Sequence, residues 1–114
     1  MIAQIQFLRG VTETTLPIVK LTKSKNGKNG TSTFIFIFPD VFQYTKRIDG
    51  MSLLWENKEI IGKDIRILFK NGKPFLLKVI CIFKNSKEWF HFLNFMSAYS
   101  KETGLLFSEI SPEF

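Results

Sequence analysis

Histidine and cysteine are almost missing from this chain: each occurs once, as His91 and Cys81. One cysteine closes no disulfide within the chain, and one thiol with one imidazole is too little for a zinc cage. Arginine is also scarce. Thirteen of the sixteen cations are lysine, leaving Arg9, Arg47 and Arg66, whereas readers of guanine and phosphate lean on the two-pronged arginine fork. Sequence-specific DNA recognition is therefore disfavoured. Long hydrophobic runs are absent too: Phe34 to Phe38, and Leu76 to Phe83 broken by Lys78, fall far short of the ~20 residues that cross a bilayer. The stretch Met1 to Phe7 has neither a basic segment before an apolar one nor a Ser/Arg-rich amphipathic character, so no targeting peptide is expected. The chain is then made where it works or is given in mature form.

What is present fits one domain spanning residues 1–114, with no internal repeat. Hydrophobic residues make up 45% and charged residues 23% of the 114, enough apolar surface for a packed core without disulfides or metal. The net charge is +6, and its distribution is uneven. Met1 to Lys87 holds fifteen basic and six acidic residues, while Glu88 to Phe114 holds one and four. The basic face belongs to the front of the chain. Abundant Lys, Ile, Phe and Asn also match an A/T-rich genome, which accounts for part of the lysine excess without any selection for a partner.

Six segments read as strands from alternation and β-branched or aromatic content: Gln4 to Leu8, Pro17 to Lys23, Thr31 to Phe38, Gly50 to Glu56, Asp64 to Lys70 and Pro74 to Phe83. Thr31 to Phe38 is apolar on both faces and is the candidate central strand. Two Asn-Gly pairs lie in Ser24 to Gly30 and mark a hairpin loop; Asn71-Gly72 is the strongest two-residue turn signal. Asp40 to Arg47 is expected to be a connection with one helical turn, and Asn57 to Lys63 a plain connection. After Phe83 the period changes. Asn85 is an N-cap type, Glu88 stands at capping-box spacing, and Trp89, Phe92, Leu93, Met96 and Tyr99 recur at helical spacing up to Gly104. The fold class is α+β: a mostly antiparallel sheet of five to six strands with a C-terminal amphipathic helix packed on one face. Residues 105–114 read as a loosely held tail with exposed phenylalanines. Phe36, Asn71, Gly72, Trp89, Phe92 and Met96 carry structural roles in this reading.

No catalytic constellation stands out. His91 is expected on the solvent side of the helix, Cys81 is expected to be a buried, inert thiol, and the ten carboxylates do not cluster. The G-x-x-G of Gly27 to Gly30 lies between strands and lacks the Lys-Ser/Thr and helix start of a phosphate loop. No cofactor or metal is expected. Surface features remain: Lys20, Lys23, Ser24, Lys25 and Lys28 on one strand and its loop, with Arg9 and the off-stripe Phe90, form the candidate partner-binding set. Such a cluster suits an acidic protein surface or anionic headgroups, though charge on a hairpin is as often only solubilising. A small basic RNA- or DNA-binding domain is the alternative function, with pI ≈ 9.6 in its favour.

The residues also resemble a known family. Ile5-Gln6-Phe7-Leu8-Arg9-Gly10-Val11, Glu13, Pro17, Val19, Leu21-Thr22-Lys23-Ser24, Gly27, Gly30-Thr31 and Phe34-x-Phe36 are similar to the front half of the small photosystem II assembly factor known as reaction-centre subunit twenty-eight, or the thirteen-kilodalton protein. Gly50-Met51, Phe69-x-Asn71-Gly72-Lys73-Pro74, Ser86-x-x-Glu88-Trp89, Phe92, Phe95-Met96, Tyr99 and Gly104-Leu105 continue the match in order, from about Ile5 to Phe107. The helix departs from the family pattern at Phe90, His91, Leu93 and Asn94. The resemblance implies a non-catalytic protein held peripherally at the stromal or cytosolic face of the thylakoid. Its implied partners are photosystem II core subunits, the inner antenna protein and reaction-centre loops, in intermediates whose biogenesis it assists and protects. No nucleic acid is among them. A plastid-encoded chloroplast location fits the composition, or a cyanobacterial one.

Overall fold

A computed structural model describes residues 3–26, 28–105 and 108–110, the last three by backbone only. Its elements run β1 (Gln4–Leu8), β2 (Val11–Thr12), β3 (Ile18–Lys23), β4 (Gly30–Ile37), a 3-10 turn (Asp40–Gln43), β5 (Met51–Trp55), β6 (Lys58–Gly62), β7 (Asp64–Lys70), β8 (Lys73–Phe83), α1 (Ser86–Thr103) and β9 (Ser108–Ile110). The α+β class and the C-terminal helix are as expected. The strands exceed the expected five to six, and they form two sheets, ordered β2-β1-β5-β6 and β7-β8-β4-β3-β9. All pairings are antiparallel except that of β9 with β3.

The extra strands are short or weakly patterned. β2 has two residues, and β6 reads Lys-Glu-Ile-Ile-Gly, without the alternation that marks a half-buried strand. Asn57 to Lys63, taken as a plain connection, is therefore mostly strand. Lys63 alone separates β6 in one sheet from β7 in the other, so the chain turns a corner between sheets there. Gly62 makes the corner fit. A Cβ on it would lie 2.8 Å from the Cys81 sulfur and 3.1 Å from Val79.

β4 is central in its sheet, as expected, and alternates strictly: Ser32, Phe34 and Phe36 are buried, while Ile35 and Ile37 face away. Phe36 meets Phe7 edge-on with centroids 5.0 Å apart. The β7–β8 hairpin turns through Asn71 and Gly72, whose φ angles of 53° and 78° are those a type I′ turn requires. The Asp40–Gln43 turn is held by Glu13. That carboxylate is buried and accepts from the backbone N–H groups of Asp40 at 2.7 Å, Val41 at 3.1 Å and Thr15 at 3.2 Å. In return Asp40 accepts from the Thr14 N–H and hydroxyl, bonds that hold its carboxyl below the usual range.

The helix starts where the sequence implies: the Asn85 side chain accepts from Glu88 N–H at 2.9 Å. Glu88 reaches back to Lys84 N–H rather than to the N-cap residue, at 3.1 Å. Gly104 ends the helix in the left-handed region, φ 76°. Trp89, Phe92, Phe95, Met96 and Tyr99 are its buried residues. Leu93 is only half-buried, so Phe95 takes the place assigned to it. Leu105 is buried and Ser108–Ile110 pairs along β3. Phe107 and Phe114 lie outside the described residues.

Trp89 is fully buried, 5.6 Å from Phe83 and 5.8 Å from Phe92 between ring centroids. Its six-membered ring lies over Gly30, where a Cβ would come within 2.8 Å of the indole and 2.6 Å of the Thr22 carbonyl oxygen. Trp89→Ala should lose about 3–5 kcal/mol of unfolding free energy, and Gly30→Ala about 1–3 kcal/mol by overpacking the same contact. Urea denaturation followed by CD checks both. A Trp89→Ala protein that melts within a degree or two of the parent would mean that the helix is not seated this way.

Candidate functional site

The isolated reactive groups are spread apart. Cys81 points between the sheets, and burial, with a smaller effect from Asp64, pushes its thiol up to about 11. His91 is not on the solvent side as expected. It is half-buried, its ring tilted against Trp55 at 4.7 Å, because Trp55 at the end of β5 extends over the first turns of the helix. Its Nε2 is buried and, among the described residues, meets no acceptor or donor. Among the described residues, no three His, Cys, Asp or Glu side chains gather as metal ligands. Tyr99 is pushed up to about 12 by burial and, secondarily, by Glu13. Cys81 and Tyr99 are packed parts of the core, and burial disfavours the ionised forms that nucleophiles need.

The candidate partner-binding residues come from both sheets and the helix. Lys20 lies mid-strand on β3, and Lys23, Ser24, Lys25 and Lys28 occupy the end of β3 and its hairpin loop. Ser24 is occupied within the loop: its hydroxyl donates to Asn26 Oδ1 at 2.7 Å and accepts from Asn29 N–H at 3.3 Å. Lys28 N–H donates to the same Asn26 oxygen. Gly27 is outside the described residues. Arg9 stands on the other sheet, in the β1–β2 turn beside Gly10 (φ 83°). Phe90 is 52% exposed on the helix, off the core stripe as expected.

Two surface features escaped sequence reasoning. One is a cleft of about 370 Å³ between the 42–48 connection and the β7–β8 hairpin, lined by Phe42, Ile48, Ile67, Phe69 and Pro74 with Lys46 at its side. The other is the outward side of the five-stranded sheet. Ile18, Ile37, Leu68 and Ile82 lie there exposed, because the helix and the four-stranded sheet both cover its inward side. Their alternation was visible, but alternation does not say that a second face stays open.

The strand edges are also placed by the fold. β1 lies between β2 and β5, and β3 between β4 and β9, so neither Gln4–Leu8 nor the Lys20 to Ser24 stretch is an open edge. Among the described residues, β6 and β7 are the strands of five or more residues that pair on one side only. No described helix is long and apolar enough to cross a membrane.

Cys81 and Tyr99 make the core sensitive to alkali. Both are acids kept neutral by the fold, so their contribution is complete below their ordinary values of 9.0 and 10.0 and is lost as pH rises towards about 11 and about 12. Unfolding free energy should hold to about pH 9 and fall beyond it. At pH 8 about one Cys81 in a thousand is thiolate, so iodoacetamide should label the folded protein far more slowly than the urea-unfolded chain. Equal labelling rates in the two states would contradict the buried placement.

Comparison with known proteins places these features in a family context. The model of the family described as Psb28 protein matches residues 5–107. A protein named "Photosystem II reaction center Psb28 protein" from Rippkaea orientalis is 43% identical over 109 residues, 94% of this chain and 96% of that one. Proteins of the same name are 40% identical in Synechocystis sp. over 94% and 97% of the two chains, and 37% in Cyanidioschyzon merolae over 92% and 96%.

Proposed function

From the premise that this chain belongs to the Psb28 protein family, we propose that it is a non-catalytic accessory protein of photosystem II. Acting as one folded domain, it binds assembly intermediates peripherally at the stromal or cytosolic face of the thylakoid and assists their biogenesis and protection. The observation that carries this reading is the near full-length similarity to proteins named for the photosystem II reaction center. Nothing in that similarity supports the nucleic-acid alternative.

Binding to a core subunit needs a physical source of grip. An extended loop or tail of a core subunit adds as a strand to an open edge, where unpaired N–H and C=O groups await partners. β1 and β3 are internal in their sheets, so this role falls to β6 and β7. Arg9, Lys20, Lys23, Lys25 and Lys28 steer the encounter electrostatically, Ser24 shapes the loop that presents them, and Phe90 supplies an apolar contact.

A tagged chain expressed in a photosynthetic host should co-purify with photosystem II subcomplexes; recovery with none of them would discard the proposal. Single prolines along Lys58–Gly62 and Asp64–Lys70 should include variants that fold normally by CD yet lose co-purification. If every folded proline variant binds as the parent does, strand addition at these edges is wrong. Converting Lys23, Lys25 and Lys28 together to Glu should slow association severalfold at low salt and leave folding unchanged, with the difference shrinking as salt shortens the Debye length below ~8 Å. Identical salt curves for variant and parent would remove steering from the account.

A further inference from the structure

The outward side of the five-stranded sheet combines exposed apolar corners with a cationic middle. Register places Ile18, Ile35, Lys78 and Arg66 in one row across β3, β4, β8 and β7, and Lys20, Thr33, Ile80 and Asp64 in the next. Lys78 and Arg66 are therefore direct cross-strand neighbours, a like-charge pairing that costs stability unless an anion offsets it. Asp64 takes part of that role for Arg66, at 3.4 Å. Among the described residues, no carboxylate pairs with Lys78 or Lys20.

The exposed apolar residues are dispersed rather than lined up. Ile18, Ile37, Ile82 and Leu68 each come from a different strand and are 49–67% exposed. Three inter-strand steps and six residues of strand separate the extremes, an area of about 15 by 20 Å. An amphipathic peptide helix is received in a groove, and the apolar cleft by Phe42 and Phe69 lies on the inward side of this sheet. A second copy would set Lys20, Arg66 and Lys78 against the same cations. A planar, anionic acceptor meets both the dispersed corners and the charge: lysine and arginine stems lie along the apolar surface while their heads reach the headgroups.

We propose that this face rests on the surface of a bilayer containing anionic lipid, through Ile18, Ile37, Leu68 and Ile82 with Lys20, Arg66 and Lys78. The proposal deepens the peripheral part of the function above and rests on it, but its test is separate. The purified full chain is sedimented with vesicles of phosphatidylcholine, alone or mixed with phosphatidylglycerol. It should partition onto the mixed vesicles only. Arg66→Gln with Lys78→Gln should weaken partitioning about fivefold per charge, and Ile18→Ser with Ile82→Ser severalfold. Lys101→Gln on the helix should not change it, and CD should show all variants folded.

Partitioning that ignores phosphatidylglycerol, or that both double variants leave unchanged, overturns the proposal. So does a concentration-dependent dimer abolished by the outer-face changes, which would assign the face to a second copy. If vesicles never bind but the same changes abolish co-purification with photosystem II, the face meets protein instead. The lipid proposal then fails while the photosystem II reading stands.

Discussion

The contact between Trp89 and the glycine beneath it holds the two halves of this molecule together. Trp89, Phe92 and Phe83 pack face to face or tilted, with Phe92 edge-on to Phe34, so helix and sheet share one aromatic cluster. The indole can come this close only because Gly30 carries no side chain. Phe95 continues the cluster to Trp55 of the second sheet at 5.2 Å. One helix thus closes over both sheets, and rings of this size bury more apolar area per residue than any aliphatic side chain. A chain with a single cysteine, and so no internal disulfide, obtains its cohesion there.

That closure leaves a one-sided molecule. The inward side of the five-stranded sheet is occupied by the helix and by the smaller sheet, while among the described residues its outward side has no covering element. The corner at Lys63 joins the sheets at one margin, and the buried Glu13 carboxylate ties the 13–15 loop to the start of the 3-10 turn. Both devices are inward-looking. Open strand edges, the lysine hairpin and an apolar, cationic sheet face remain as the surfaces on which a partner can act. The reactive groups Cys81 and Tyr99 are committed to packing.

Membership of the Psb28 family and these surfaces point the same way but carry different loads. The family relation supplies the connection to photosystem II through proteins of that name. The surfaces supply a physical means: backbone pairing at β6 or β7 would confer register, long-range charge would raise the encounter rate, and the outer face would fix orientation relative to a membrane plane. Each means responds to a different perturbation, proline, salt and lipid charge respectively, which lets them be separated.

Local chemistry was legible in the sequence. The Asn71-Gly72 turn, the Asn85 cap, the Gly104 stop and the burial of Trp89, Phe92 and Met96 follow from positive-φ tolerance, capping and 3.6-residue periodicity, all of which act within a few residues. The strand order was not. β9 owes its existence to a partner far along the chain and β6 to its hairpin neighbour β5, and a strand of five unpatterned residues or of three has too little alternation to announce itself. His91 shows the same limit: helical periodicity placed it outward, but Trp55, more than thirty residues earlier, covers it. Which edges stay open and which sheet face stays bare are likewise properties of the assembled sheets, because pairing and coverage are decided by neighbours that only the tertiary structure brings together.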